Sequence, residues 1–149
     1  MRVPPSAALA VALLSLGVSA AALVRSFDHG VDYTDAQRAE ATATICTAFA
    51  TVRTGVATNT NVTPPGDVGG ALAAAANARL ALSDGGQYLL ARLDPATPGD
   101  LAAEVTRFAD ALMDIGAAST AGVPNTDPAQ AKRLEAAEAA SAAVSNRCR

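Results

Sequence analysis

Two patterns of hydrophobic and polar positions meet at Arg25. From Val3 to Val24 no charged residue occurs, with Arg2 and Arg25 bounding the run. Twenty-odd residues rising 1.5 Å each span roughly 30 Å, the thickness of a bilayer's hydrocarbon core. A helix satisfies its own backbone hydrogen bonds in lipid, and the run has none of the polar face that a soluble amphipathic helix would show. It predicts a transmembrane anchor over residues 1–25. The rival reading is a signal peptide cleaved after Ala20, because Val18-Ser19-Ala20 offers small residues at peptidase spacing behind an apolar stretch of the right length. Arg2 and the terminal amine are a thin charged leader for such a peptide, and apolarity continues past Ala20, so the anchor is favoured.

Residues 26–33 form a short polar connector that carries His29. After it the period becomes helical. Thr34-Asp35-Ala36-Gln37 has the form of a capping box, and Ile45, Phe49, Val52 and Val56 then recur on one helical face. This first helix should end near Asn59, ahead of a turn-rich stretch through Pro64-Pro65-Gly66. Asp67 is placed to cap a second helix reaching about Leu93. Gly85-Gly86 in its middle predicts a kink or a very close neighbour, since each Gly costs on the order of 1 kcal/mol relative to Ala.

Asp94-Pro95 opens the next turn. Thr97-Pro98-Gly99-Asp100 reads as a third helix start, with Pro98 at the first helical position. Leu101, Val105, Phe108, Leu112 and Ile115 make the cleanest stripe in the chain. Ala121 to Pro128 closes that helix and opens a fourth, whose Leu134, Ala137, Ser141, Val144 and Cys148 share a face. No alternation supports a strand. The expected fold is all-α: an N-terminal transmembrane helix followed by an antiparallel four-helix bundle over residues 34–149.

Composition narrows the picture. Half of the residues are hydrophobic but only 3% are aromatic, so the core must come from close helix approach and a few large side chains. A net charge of −3 argues against nucleic acid, which needs a basic patch to displace counterions. The two cysteines, Cys46 and Cys148, lie beyond the apolar run and gain a use if the bulk of the chain is exported and the N-terminus stays cytoplasmic. If the first and fourth helices are antiparallel neighbours the two can form a disulfide; unpaired buried thiols are the alternative. Because Cys148 ends the last helix, such a bridge leaves Thr34 to Thr44 as an overhanging stalk.

Candidate chemistry is sparse. His29 in the connector reads as a solvated interfacial residue. Asp110 and Asp114 share a helical face, but one turned away from the apolar stripe, so they read as solvated rather than as an acid–base pair. Asn77 and Arg79 fit the edge of a buried stripe, with the Arg head reaching water; the alternative is that one of them lines a polar cleft or bonds across the bundle. Asn61-Val62-Thr63 matches a glycosylation acceptor without further support. No phosphate loop, nucleophile motif or metal-ligand cluster is present in the sequence. No catalytic, cofactor-binding or metal residue is assigned, and the protein is not expected to be an enzyme.

Ala76-Asn-Ala-Arg-Leu-Ala-Leu82, Gly85-Gly86-x-Tyr88-Leu-Leu, Leu93-Asp-Pro and Ala121-Gly-Val-Pro-Asn125 together resemble the Ala-rich, single-pass membrane proteins of mycobacteria and related actinobacteria. The likeness runs over nearly the whole chain. It implies location and architecture and transfers no activity. Members of that group carry a longer Ala/Pro-rich leader, which keeps the secreted alternative open.

Two functional expectations follow. The first is a membrane-anchored envelope module that offers exposed Ala-rich helix ridges to a protein partner, with residues 3–24 in the bilayer. The second is a binding protein holding a lipid or small apolar ligand between its helices, with Gly85-Gly86 leaving room for it. A solid interior marks the module, and an enclosed apolar cavity of several hundred Å3 marks the binding protein.

Overall fold

The computed structural model describes residues 32–63 and 66–149. The expected transmembrane segment, His29 and most of the connector lie outside the described residues. The chain divides into two units, Met1–Tyr33 and Thr34–Arg149. The described part is all-helical: α1 (Asp35–Thr60), α2 (Val68–Ala91), α3 (Gly99–Thr120) and α4 (Pro128–Arg147), with no strand among the described residues. None of these helices is long and apolar enough to cross a membrane.

Helix starts follow the polar residues. Thr34 and Gln37 form the reciprocal cap of α1: Thr34 Oγ1 accepts the Gln37 amide and Gln37 Oε1 accepts the Thr34 amide. Asp67 Oδ1 accepts from Gly70 N–H at 2.7 Å. Asp127 Oδ1 accepts from Ala129 and Gln130, with Pro128 in the first turn.

The α3 start departs from expectation. Pro98 is the N-cap rather than the first helical residue, and no side chain caps the helix. Thr97 is already committed to the preceding turn. Its amide bonds the Asp94 carbonyl, while Asp94 Oδ1 takes the Ala96 amide in an Asx turn. The Thr97 hydroxyl ends up buried without a partner. At the other end of α3, Gly122 adopts φ 84°, and its amide and that of Val123 bond back to Ser119 and Ala118. This is the Schellman arrangement, which needs a left-handed residue after the helix.

Consecutive helices run antiparallel. Gln130 at the start of α4 bonds Ser119 at the end of α3, and Arg147 at the end of α4 pairs with Asp100 at the start of α3. The whole predicted stripe of α3, Leu101, Val105, Phe108, Leu112 and Ile115, is buried, joined by Ala109 and Gly116. Ile45, Phe49 and Val52 of α1, Leu82 and Leu89 of α2, and Ala137, Ala140 and Val144 of α4 complete the core. Burying one such large side chain contributes about 1.5–3 kcal/mol. Phe49 and Phe108 meet edge to face at 5.3 Å, a geometry worth about 0.5–1.5 kcal/mol beyond the area it buries.

Gly85-Gly86 proves to be a close approach. A Cβ on Gly86 would lie 2.6 Å from the Ala109 carbonyl oxygen, and one on Gly85 would lie 2.8 Å from Val52 Cγ1. The missing side chains admit α3 on one side and α1 on the other. This is the very close neighbour that the sequence predicted, and it leaves no room there for the ligand of the second functional expectation.

Candidate functional site

Cys46 and Cys148 are joined in a disulfide, with their Cα atoms 5.5 Å apart, inside the range a bridge tolerates. It links α1 to α4, the two outer helices of the packing order. Residues 34–40 are exposed, as an overhang requires, but Ala41 and Ile45 are buried. The expected stalk through Thr44 is therefore too long. Tyr88 and Arg92, at the end of α2, border a small pocket with Ala43, Thr44, Thr47 and Ala48, so α2 lies against α1 at the level of the bridge.

Above the bridge α1 and α4 meet only briefly. Arg53 Nη1 donates to Ser145 Oγ at 3.2 Å, spanning the gap between them. Around and beyond this contact the two helices border a groove of about 920 Å3 that is open to solvent. Val56, Ala57 and Thr60 form the α1 wall; Leu134, Ser141 and Ala142 belong to the α4 wall. Leu82, Phe108, Leu112, Ile115 and Ala137 floor it.

The groove exists because its walls are small. Below Arg53 the facing positions hold Ile45, Phe49 and Val144, which fill the space. Above it Ala57 on α1 and Ser141 and Ala142 on α4 are too short to meet across the gap, and Val56 and Leu134 are the larger wall residues.

Charge along the groove is uneven. Arg53, Arg79 and Arg149 line it against a single acid, Glu138, in a chain whose formal charge is −3. For Arg79 the favoured expectation was a head in water, and a bond across the bundle was the alternative. The side chain is half-buried, and its Nε–H donates to the Ser119 carbonyl at 3.2 Å, where the end of α3 concentrates partial negative charge. The ion pairs Arg107–Glu104 and Arg147–Asp100 involve neither Arg53 nor Arg79.

Gln130 was not anticipated. Its side chain is fully buried and its Nε2 donates to the Ile115 carbonyl and Ser119 Oγ, both at 3.3 Å, while its Oε1 accepts from Arg133. Each polar atom is satisfied, so burial carries little penalty. The available signal was its position, four and seven residues before Leu134 and Ala137 on the α4 face.

Asp110 and Asp114 are both exposed, as is Asn77. The Asn61-Val62-Thr63 stretch is exposed as well. No group of acidic, Cys or His side chains among the described residues is arranged to hold a metal ion. Comparisons with protein-family models, curated proteins and solved structures find no match to this chain.

Proposed function

We propose that this protein is a binding protein that takes a long apolar ligand into the groove between α1 and α4. The groove carries the reading: about 920 Å3 over an apolar floor, within the range of roughly 300–1,000 Å3 typical of small-molecule sites. The floor residues are themselves buried, so the space is a surface groove and not the enclosed cavity expected of a binding protein; its volume and apolar lining are what support ligand holding. The groove is open rather than enclosed, an arrangement suited to a ligand that enters sideways. In this reading an antiparallel four-helix bundle over residues 34–149 stands on the outer side of a membrane. A transmembrane helix over residues 3–24 holds it there with the N-terminus cytoplasmic, as in the Ala-rich actinobacterial proteins it resembles. Cleavage after Ala20 would release the same bundle as a secreted carrier.

A second reading, a non-enzymatic docking module for a protein partner, is favoured by one observation. Val68, Leu72 and Leu80 along the outer side of α2 are 77%, 65% and 59% exposed, and a run of such residues is a recognisable contact surface.

The chain has no Trp, so Ala57→Trp in the full-length protein adds one reporter on the groove wall. A bromine-labelled long-chain alcohol should quench it saturably at one equivalent. A tryptophan introduced instead at exposed Ala139, which does not line the groove, should respond only weakly and without saturation. Identical, unsaturable quenching at both positions would refute the reading.

A further inference from the structure

We infer that the groove is selective for an anionic amphiphile, a single acyl chain ending in a carboxylate, and that Arg79 takes the head; this rests on the binding-protein reading above. Three features carry it. The first is charge: arginines outnumber acids on the groove lining, three to one, in a chain that is acidic as a whole.

The second is the state of Arg79. Its Nε–H is fixed to the Ser119 carbonyl, which orients the guanidinium, and neither the Arg107–Glu104 nor the Arg147–Asp100 pair neutralises it. A half-buried guanidinium so held offers its remaining N–H groups to a planar oxyanion, the fork geometry that carboxylates match. Partial burial strengthens that pairing relative to one in open water.

The third is shape. Helix α4 lines the groove from Leu134 to Asn146, and twelve helical steps at 1.5 Å each make it about 18 Å long. One acyl chain spans about half of a 30 Å hydrocarbon core, so a chain of membrane-lipid length lies along the floor of Leu82, Phe108 and Leu112 with its carboxylate at the Arg79 end. Glu138 also lines the groove, and its charge tempers affinity for an anion.

The test uses the full-length chain in membranes and two photoactivatable acyl probes of equal length, one a carboxylate and one the corresponding alcohol. Crosslinks are mapped by peptide mass spectrometry. The carboxylate should label peptides carrying Leu82, Phe108 or Leu112 at about tenfold lower concentration than the alcohol, and unlabelled fatty acid should compete. Arg79→Gln should erase that tenfold preference, and a native-like melting curve by circular dichroism shows that the variant is folded. Equal labelling by both probes in the native chain overturns the selectivity and leaves the binding-protein reading standing. A preference that survives Arg79→Gln overturns the assignment of the head to Arg79. Absence of floor labelling by either probe overturns both.

Discussion

The two ends of the helical bundle are built from the same Ala-rich composition and come out differently. Around the disulfide, Ile45, Phe49, Leu89, Val105 and Val144 are at most 4% exposed, and α1 is tied to α4 covalently. Beyond Arg53 the same pair of helices stands apart over an open apolar floor. Helices set at a given spacing close only if side chains reach across it. A chain with few large residues can fill one end of a bundle and leave the other grooved, and here α1 carries no apolar residue larger than Ala beyond Val56. The packed end supplies stability, and in the proposed reading the grooved end supplies the binding surface.

Removing the bridge should have the largest effect on this contrast. For a sequence separation of 102 residues, the chain-entropy model gives about 4–5 kcal/mol. The double variant Cys46→Ser/Cys148→Ser should therefore melt far below the native protein by circular dichroism, and adding reductant to the native chain should lower its melting point to a similar value. A melting point insensitive to reductant would mean that apolar packing alone holds the closed end.

Next in size is Gly86→Ala. The new methyl would press on the Ala109 backbone, which cannot swing aside, so a loss of about 1–3 kcal/mol is expected from denaturant titration. Gly55→Ala is its counterpart beside the groove. Nothing lies within 4 Å of a Cβ there, so the same chemical change should stabilise by about 0.5–1 kcal/mol. If both variants lost stability, the open end would be more tightly packed than its geometry indicates.

Ser141→Leu asks whether the groove can be filled. A larger apolar side chain on the α4 wall should leave stability within about 1 kcal/mol of native. In the Ala57→Trp background it should also abolish saturable quenching of the tryptophan reporter. The smallest expected effect is that of Glu138→Gln. Removing one solvent-exposed acid from the groove wall should tighten binding of the carboxylate probe by about two- to threefold and leave the alcohol unchanged. A change of the same size for both probes would show that Glu138 acts through packing instead of charge.

Much of the fold was legible in the sequence because its signals are local. The capping box at Thr34-Gln37, the aspartate caps at Asp67 and Asp127, and the five-residue stripe of α3 each depend on neighbours within a turn or two. The α3 start was misread for a related reason. Thr97 fits a cap, but the Asx turn at Asp94 competes for the same backbone and prevails. Gly85-Gly86 announced a close neighbour without saying which, because a missing side chain records only that something is near.

The candidate site was far less legible. The disulfide could be argued from two cysteines on helical faces, but the groove could not, since it arises from residues that are absent from a gap between α1 and α4. No periodicity along one helix reports how far away another helix lies. Arg79 read as a solvated edge residue until its partner proved to be a carbonyl 40 positions away, and Gln130 became a core residue only because Ile115 and Ser119 meet its amide.

By itself, then, the sequence determined four helices, most of their ends and the faces they bury, all of which follow from interactions within a few residues along the chain. The tertiary structure alone decided which pairs of helices fill the space between them, where an apolar floor stays open, and which arginines stand over it, because those outcomes depend on side-chain lengths summed across gaps between segments far apart in the chain.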